Sequence, residues 1–142
     1  MLTSVGLEPN KVAIPHINEK LHLNESPLAY VKRMALEKAE SLFYQSEAYL
    51  ITADTIVLAG RRILHKTWDP IEAERYLNML SGRRHNVFTA FCIRHHDIIR
   101  TNIVKTTLEM KVLSHKEIKN YCDTREWDCL LYTSPSPRDL YR

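Results

Sequence analysis

Asp54 is the residue of this 142-residue chain whose surroundings most favour a chemical role. It lies within the apolar and β-branched run 49–58, which is typical of a strand at the centre of a sheet. Removing a carboxylate from water is unfavourable unless a cation, a metal ion or a hydrogen-bond donor meets it. Asp54 is therefore a candidate for chemistry, and the alternative interpretation is an Asp that caps a turn at a strand end.

Three further charged residues could act together with Asp54. Glu19 lies in a polar, irregular segment, Lys38 lies in the helix predicted to follow it, and Lys66 follows a short predicted hairpin. Carboxylate oxygens are ligands for Mg²⁺, and lysine ammonium groups balance the charge of a polyphosphate. An Asp could also deprotonate a water molecule for in-line attack on phosphorus. The set suits metal-assisted phosphate chemistry, although each residue taken singly is of a kind usually solvated at a surface.

Strands and helices alternate along the chain and would position these residues. Ser26 and Pro27 predict the start of the first helix, as N-cap and first helical residue, and the helix extends to about residue 43. After the strand 49–58, a turn at 59–62 leads to a brief return strand at 63–64. The apolar stripe of the first helix consists of Leu28, Val31, Ala35, Ala39 and Leu42.

A second helix is predicted to begin at Asp69-Pro70. Asp69 would be its N-cap, and Glu72 would complete a capping box. Gly82 would end the helix in the left-handed conformation. The residues expected on its buried face are Ala73, Tyr76, Leu77 and Leu80.

The remaining elements define the fold class. Residues 11–14 predict a short strand, and residues 87–94 and 98–112 predict two long strands joined at a tip. A capping box at residues 114–117 opens a third helix that continues to about residue 122. Strands interleaved with helices indicate an α/β or α+β fold with a mixed sheet.

The composition argues against several classes of protein. The net charge is +3 and the basic residues are interleaved with acids, which suits an anionic ligand but argues against a nucleic-acid-binding face. No apolar run approaches the about 20 residues of a membrane span, and the first residues do not resemble a signal peptide, so the expected compartment is the cytoplasm. Cys92, Cys122 and Cys129 are odd in number and scattered, which disfavours a disulfide framework or a zinc site.

Five short motifs follow one another in a characteristic order. They are Ile17-Asn18-Glu19, Leu36-Glu37-Lys38-Ala39, Ala53-Asp54-Thr55, Ile63-Leu64-His65-Lys66, and Leu80-Ser81-Gly82-Arg83-Arg84-His85 with the later Thr89-Ala90. With this order and spacing, the chain from about residue 2 to residue 127 resembles the Maf family of nucleoside triphosphate pyrophosphatases, also described as septum-formation proteins. The resemblance implies an inosine-triphosphatase-like fold and hydrolysis of a nucleoside triphosphate to the monophosphate and pyrophosphate.

The resemblance also implies a role for each candidate residue. Asp54 would be the general base or a metal-anchoring carboxylate, and Glu19 would help to hold Mg²⁺ or Mn²⁺. Lys38 and Lys66 would contact phosphates, and Thr55 would lie near the region that selects the base. Within the family, Ala-Asp-Thr accompanies dTTP/UTP-type enzymes and Ser-Asp-Gln accompanies the 7-methyl-GTP type, so Thr55 favours pyrimidine triphosphates or the broader class of enzymes that hydrolyse several nucleotides. A homodimer is a further implication of the resemblance, whereas the charge pattern and the lack of a long apolar run are what argue against nucleic-acid and membrane partners.

The ends of the chain differ from the family pattern. The family has an N-terminal Ser-x-Ser-Pro-Arg-Arg phosphate loop and a C-terminal Lys-Ala-Gly-x-Tyr-x-Ile-Gln-Gly segment that this sequence does not match. We therefore expect a partial pyrophosphatase domain at residues 1–128, incomplete at both ends, and an unrelated or disordered tail at residues 129–142. The alternative function is a catalytically inactive nucleotide-binding or cell-division-regulating protein on the same scaffold.

Overall fold

The computed structural model describes residues 6–42 and 47–124, and within them the chain forms three helices and four strands. The strands form one antiparallel sheet in the order β2-β1-β3-β4, which confirms the predicted α/β class, although the described sheet is antiparallel rather than mixed. The predicted domain boundary at 128 and the tail 129–142 lie outside the described residues. The elements in chain order are α1 (Pro27–Ser41), β1 (Leu50–Ala59), β2 (Arg62–Leu64), α2 (Pro70–Leu80), β3 (Arg84–His95), β4 (Ile98–Glu109) and α3 (His115–Thr124).

Helix α1 begins as the sequence predicts. The Ser26 hydroxyl accepts a hydrogen bond from the backbone N–H of Ala29 at 3.2 Å, and Pro27 occupies the first helical position. The apolar stripe differs in part from the prediction, because Leu28 is exposed. Leu28 lies in the first turn of the helix, and burial begins only with the next turn. The buried residues of α1 are Tyr30, Val31, Met34, Ala35 and Ala39.

Strand β1 lies inside the sheet, between β2 and β3, as the apolar run predicts. It is not buried on both faces, however, because Thr52, Ile56 and Leu58 are buried whereas Ile51 is 42% exposed. Successive strand residues point to opposite faces, so one covered face produces this alternation. Asp54 follows Thr52 by two residues and lies on the covered face.

Two hairpins confirm the predicted turns. Val57 pairs with Leu64 and Ala59 pairs with Arg62 in the antiparallel β1–β2 ladder. Strands β3 and β4 are joined at His96 and Asp97, and His96 has φ +50°, in the left-handed region that tight turns use. The antiparallel register of β3 and β4 continues beyond the strands, where the N–H of Met110 donates to the carbonyl of Arg83 at 3.1 Å.

The N-terminus of α2 confirms one predicted cap and corrects another. The Asp69 carboxylate accepts from the N–H of Ile71 at 2.9 Å, and Pro70 opens the helix. Glu72 does not complete a capping box, because the Asp69 N–H donates to the Thr67 hydroxyl and the Glu72 carboxylate accepts from Tyr76. The Thr67 hydroxyl thus takes the place that the Glu72 carboxylate would have had.

The capping box before α3 is confirmed. The N–H of Ser114 donates to Glu117 Oε2 at 2.8 Å, and the N–H of Glu117 donates to the Ser114 hydroxyl at 3.3 Å. The strand predicted at 11–14 is wrong, since the segment has no secondary structure and Val12 and Ile14 are about four-fifths exposed. An apolar run without a strand beside it has no partner for its backbone hydrogen bonds.

The chain divides into two compact units, and β1, β3 and β4 contribute residues to both. The first comprises Met1–Thr55 and Thr89–Val104, and its buried apolar side chains come from α1 together with Ala90 and Cys92 of β3. Burial raises the pKa of the Cys92 thiol, as expected for a small core residue. None of the described helices is long and apolar enough to cross a membrane.

The second unit comprises Ile56–Phe88 and Lys105–Arg142. Within it, α2 packs against α3, and Ile118 of α3 is among the most deeply buried residues described. The His85 ring is also buried, and burial lowers its pKa. The remaining buried apolar residues of this unit are Ile56, Leu58, Ala73 and Leu80.

Gly82 ends α2 in the left-handed conformation that the sequence predicts, with φ +67°. Its N–H donates to the carbonyl of Lys111 at 3.1 Å, and a Cβ at this position would approach Val112 Cγ2 to 3.0 Å. Both the backbone conformation and the space therefore favour glycine. Gly60, with φ +63° and open space around it, shares only the first of these constraints.

We expect Gly82→Ala to lower the free energy of unfolding by about 1–2 kcal/mol, because a left-handed L-residue is strained. Gly60→Ala is the matched control and should cost less, since no neighbour crowds its new methyl group. Urea denaturation of both variants measures the difference. Equal losses would show that the contact with Val112 imposes no constraint.

Candidate functional site

The structure brings together three of the charged residues predicted from the sequence, all in the first unit. Lys38 Nζ donates a hydrogen bond to Asp54 Oδ1. The same nitrogen lies 3.3 Å from Glu19 Oε1. The side chains of Lys38 and Asp54 are 12% and 14% exposed, whereas that of Glu19 is 47% exposed. One ammonium group therefore joins two carboxylates at the border between the interior and solvent.

Helix α1 places Lys38 at this position. Lys38 follows Val31 by seven residues and Met34 by four, so it continues the buried stripe along one helix face. It also lies in the last turn, where the helix dipole favours a positive charge. The ammonium group consequently emerges at the C-terminal end of the buried face.

Strand β1 supplies Asp54, and a hydrogen bond between α1 and β1 sets its position. The Thr52 hydroxyl, two residues earlier on the covered face, donates to the carbonyl of Ala35 in α1 at 2.6 Å. This buried hydrogen bond fixes α1 beside β1 one helical turn before Lys38. Asp54 Oδ1 then meets Lys38, and no hydrogen bond from the described residues reaches Oδ2.

Two side chains of α1 hold the segment that carries Glu19. The Tyr30 hydroxyl donates to the backbone carbonyl of Glu19 at 2.8 Å. Arg33 donates to Glu25 Oε1 at 2.6 Å, to Glu25 Oε2 at 2.7 Å and to the carbonyl of Lys20 at 2.9 Å. The irregular segment 19–25 is thus attached to the helix that also carries Lys38.

The electrostatics of the cluster favour its charged form. Burial lowers the pKa of Lys38, but the hydrogen bond and charge of Asp54, with a smaller contribution from Glu19, more than compensate and raise it overall. Burial also raises the pKa of Tyr30, and the negative charges of Asp54 and Glu19 raise it further. Lys38 therefore remains an ammonium and Tyr30 remains a neutral hydrogen-bond donor at neutral pH.

The two carboxylates suit a partial set of ligands for Mg²⁺ or Mn²⁺. Magnesium commonly binds one or two carboxylates and takes its remaining ligands from water and substrate phosphates. Glu19 and Asp54 both reach one nitrogen atom, so their oxygens converge. Within residues 6–42 and 47–124, no group of three or more His, Cys, Asp or Glu side chains forms a complete metal site. The chemistry of the two donors fits a metal shared with a phosphate substrate.

The other two predicted residues have different surroundings. Thr55 is exposed on the face of β1 opposite to Asp54, and its hydroxyl is 2.9 Å from that of Thr89. Lys66 is exposed in the segment between β2 and α2, in the second unit. Their predicted contacts with base and phosphate remain predictions.

Sequence reasoning did not identify Tyr30 and Arg33. Tyr30 looks like an ordinary core residue because it lies near the apolar stripe of α1. For Arg33, the spacing to Glu37 predicts a helical ion pair, which the structure contains at 3.0 Å. The contact with Glu25 crosses from the irregular segment to the helix, and no periodicity indicates it.

We expect Lys38→Met to lower the free energy of unfolding by about 2–3 kcal/mol, because it leaves two shielded carboxylates without their cation. Since the pKa of Lys38 is raised above its ordinary value of 10.5, the stabilisation from its ion pairs is fully present below pH 10.5. It is lost only as the pH rises through the raised pKa. Chemical denaturation at pH 7.5, a value chosen well below that range, measures the loss.

The control for this experiment is Lys111→Met. Lys111 pairs with Glu117 at 2.5 Å, but both side chains are about half exposed, so its replacement should change stability much less. Losses of equal size in the two variants would contradict the special position of Lys38.

The Arg33–Glu25 pair predicts a stability change in acid. The hydrogen bonds from Arg33 lower the pKa of Glu25 from 4.5 to about 2. The pair therefore contributes fully above pH 4.5 and loses its contribution as the pH falls towards about 2. Glu25→Gln should cost about 1 kcal/mol at neutral pH, since solvent screens part of the interaction. Urea denaturation measures the free energy of unfolding of the wild type and of Glu25→Gln. A difference between them that stays the same in acid would count against the pair.

The chain is similar to a described protein family and to several named proteins. The sequence profile of a family described as "Maf-like protein" matches residues 1–130. A protein of Zymomonas mobilis named "dTTP/UTP pyrophosphatase" is 43% identical over 129 residues, which cover 89% of this chain and 64% of the relative. A protein of Roseobacter denitrificans with the same name is 39% identical over 127 residues, which cover 89% of this chain and 68% of the relative.

A third relative carries a broader name. A protein of Anaplasma marginale named "Nucleoside triphosphate pyrophosphatase" is 37% identical over 129 residues, which cover 89% of this chain and 66% of the relative. The chain thus spans about two thirds of the length of the curated relatives that it matches. With a matching profile over most of its length and this level of identity, the chain belongs to the Maf-like protein family.

Proposed function

We propose that this protein hydrolyses nucleoside triphosphates to the monophosphate and pyrophosphate, with dTTP and UTP as preferred substrates. The observation that carries the proposal is the cluster of Lys38, Asp54 and Glu19, in a family whose compared members are named for this reaction. A basic group beside carboxylates, at the edge of solvent, is what attack of water on a phosphoanhydride requires.

Asp54 would act on the attacking water. Lys38 engages Oδ1, so Oδ2 can accept a hydrogen bond from a water molecule and then its proton. The water oxygen forms a bond to the α-phosphorus, and the bond from that phosphorus to the bridging oxygen breaks. The electron pair of the broken bond leaves with pyrophosphate.

Lys38 could contact substrate without leaving the carboxylates. An ammonium group has three N–H donors, and Asp54 and Glu19 account for two directions. The third donor could meet a phosphate oxygen and stabilise the charge that develops there. Lys66 is proposed as a second phosphate contact, because a lysine in an exposed segment can follow a flexible polyphosphate.

Glu19 and Asp54 are the residues that would hold Mg²⁺ or Mn²⁺. A divalent ion in this position would neutralise phosphate charge and polarise the α-phosphoryl group. Thr55 is proposed to lie near the selected base, which is supported by its place in Ala53-Asp54-Thr55 and by the relatives named dTTP/UTP pyrophosphatase.

The cellular setting follows from the proposed substrate. Nucleoside triphosphates are cytoplasmic metabolites, so we propose that the protein acts in the cytoplasm, without a nucleic-acid or membrane partner. A role in septum formation and assembly as a homodimer remain expectations from the family resemblance. Nucleotide binding without turnover would instead support an inactive regulatory protein.

We expect Asp54→Asn to reduce pyrophosphate release from dTTP by about 100-fold or more, because the amide cannot accept the water proton. The assay uses dTTP, UTP, CTP and 7-methyl-GTP with Mg²⁺ or Mn²⁺, and dTTP and UTP should be the fastest substrates. Asp97→Asn, at the exposed tip between β3 and β4, is the control and should retain full activity.

Two results would overturn this proposal. Activity of Asp54→Asn close to wild type would remove the assigned proton acceptor. Absence of pyrophosphate release by the folded wild-type chain, with nucleotide binding retained, would replace the enzyme by the regulatory alternative.

A further inference from the structure

Tyr30 contacts the backbone of Glu19 from the core of the first unit. Its ring is packed in the core of the first unit and is 7% exposed, and its hydroxyl donates to the Glu19 backbone carbonyl at 2.8 Å. Since the ring cannot move freely, this hydrogen bond fixes the backbone of a residue that otherwise belongs to an irregular, exposed segment. Position 19 is thereby tied to the interior.

Arg33 holds the same segment through a second set of hydrogen bonds. Its guanidinium donates to both oxygens of Glu25 and to the carbonyl of Lys20, the residue after Glu19. A bidentate contact of this kind fixes direction as well as distance. The Arg33 side chain is only 18% exposed, and it also pairs with Glu37.

Glu19 links Tyr30 to the chemical cluster. Its backbone carbonyl accepts the hydrogen bond from the Tyr30 hydroxyl, and its carboxylate lies 3.3 Å from Lys38 Nζ, which also donates to Asp54. The backbone that Tyr30 holds therefore carries one of the two carboxylates of the cluster.

We propose that Tyr30 is a positioning residue that acts through Glu19, with Arg33 as a second attachment of the same segment. Tyr30 holds the backbone at position 19 so that the Glu19 carboxylate converges with Asp54 on Lys38 and on a divalent cation. The proposal rests on the proposed pyrophosphatase function for its catalytic consequence, but the attachment of the segment can be tested without it.

Tyr30→Phe is a sharp probe because it removes one oxygen and keeps the ring in the core. Loss of one hydrogen bond corresponds to about a 3- to 10-fold change in an equilibrium constant. We therefore expect the Mn²⁺ concentration for half-maximal pyrophosphate release from dTTP to rise by about that factor. The dissociation constant for Mn²⁺ alone, from electron paramagnetic resonance of the free ion, should rise similarly.

A double-mutant cycle separates positioning from general stability. If Tyr30 acts through Glu19, Tyr30→Phe should change Mn²⁺ affinity in the wild type but not in a Glu19→Gln background. A loss of general stability would weaken both backgrounds equally. Equal effects in the two backgrounds would overturn the proposal.

Tyr76→Phe is the matched control. Tyr76 is a half-buried tyrosine of the second unit whose hydroxyl donates to Glu72 at 2.9 Å. The substitution removes the same hydroxyl group from a residue far in sequence from the cluster, and it should leave the affinity for Mn²⁺ unchanged. A shift equal to that of Tyr30→Phe would contradict a specific role for Tyr30.

Amide hydrogen exchange distinguishes failure of this inference from failure of the proposed function. In the segment held by Tyr30, the N–H of Lys20 bonds to Asn18 and the N–H of His22 bonds to Glu25. Tyr30→Phe should accelerate exchange at Lys20 and His22 even if the wild-type protein hydrolyses no nucleotide. Unchanged exchange at both amides would overturn the attachment, whatever the activity.

Discussion

The ammonium group of Lys38 is the contact on which the candidate site depends. It joins three parts of the first unit: helix α1, strand β1 and the irregular segment carrying Glu19. Its low exposure requires compensation of the charge, and two carboxylates provide it. Without this cation, Asp54 would be a shielded carboxylate facing another carboxylate. The geometry of the cluster and the stability of its surroundings therefore have the same cause.

Polar as well as apolar groups hold helix α1 in place. Its buried residues pack in the core of the first unit, but apolar packing tolerates small sliding movements along a strand. The hydrogen bond from Thr52 to the carbonyl of Ala35 fixes the register between helix and strand. Tyr30 and Arg33 then fix the segment 19–25 on the same helix. Helix α1 is thus the common support of all three charged groups.

Much of the fold could be predicted from local sequence signals. Caps at Ser26 and Ser114 and the left-handed Gly82 follow from the chemistry of a few neighbouring residues, and the structure confirms them. Asp54 could be singled out because a charge within an apolar run is conspicuous. The contacts of Arg33 with Lys20 and Glu25 could not be predicted, since they depend on how an irregular segment folds back onto a helix. The strand expected at residues 11–14 failed for a related reason, because a strand needs a neighbour that its own sequence does not specify.

The charge balance of the cluster bears on how an anionic substrate could bind. Two carboxylates and one ammonium group leave one net negative charge, so the cluster by itself repels a triphosphate. Arg33 does not correct this balance, because Glu25 and Glu37 already pair with it. Under the proposed function, a divalent cation bound by Glu19 and Asp54 would reverse the sign and convert the repulsion into attraction. Under the same proposed function, the carboxylates that make the cluster stable around Lys38 would therefore make binding of the substrate depend on the metal.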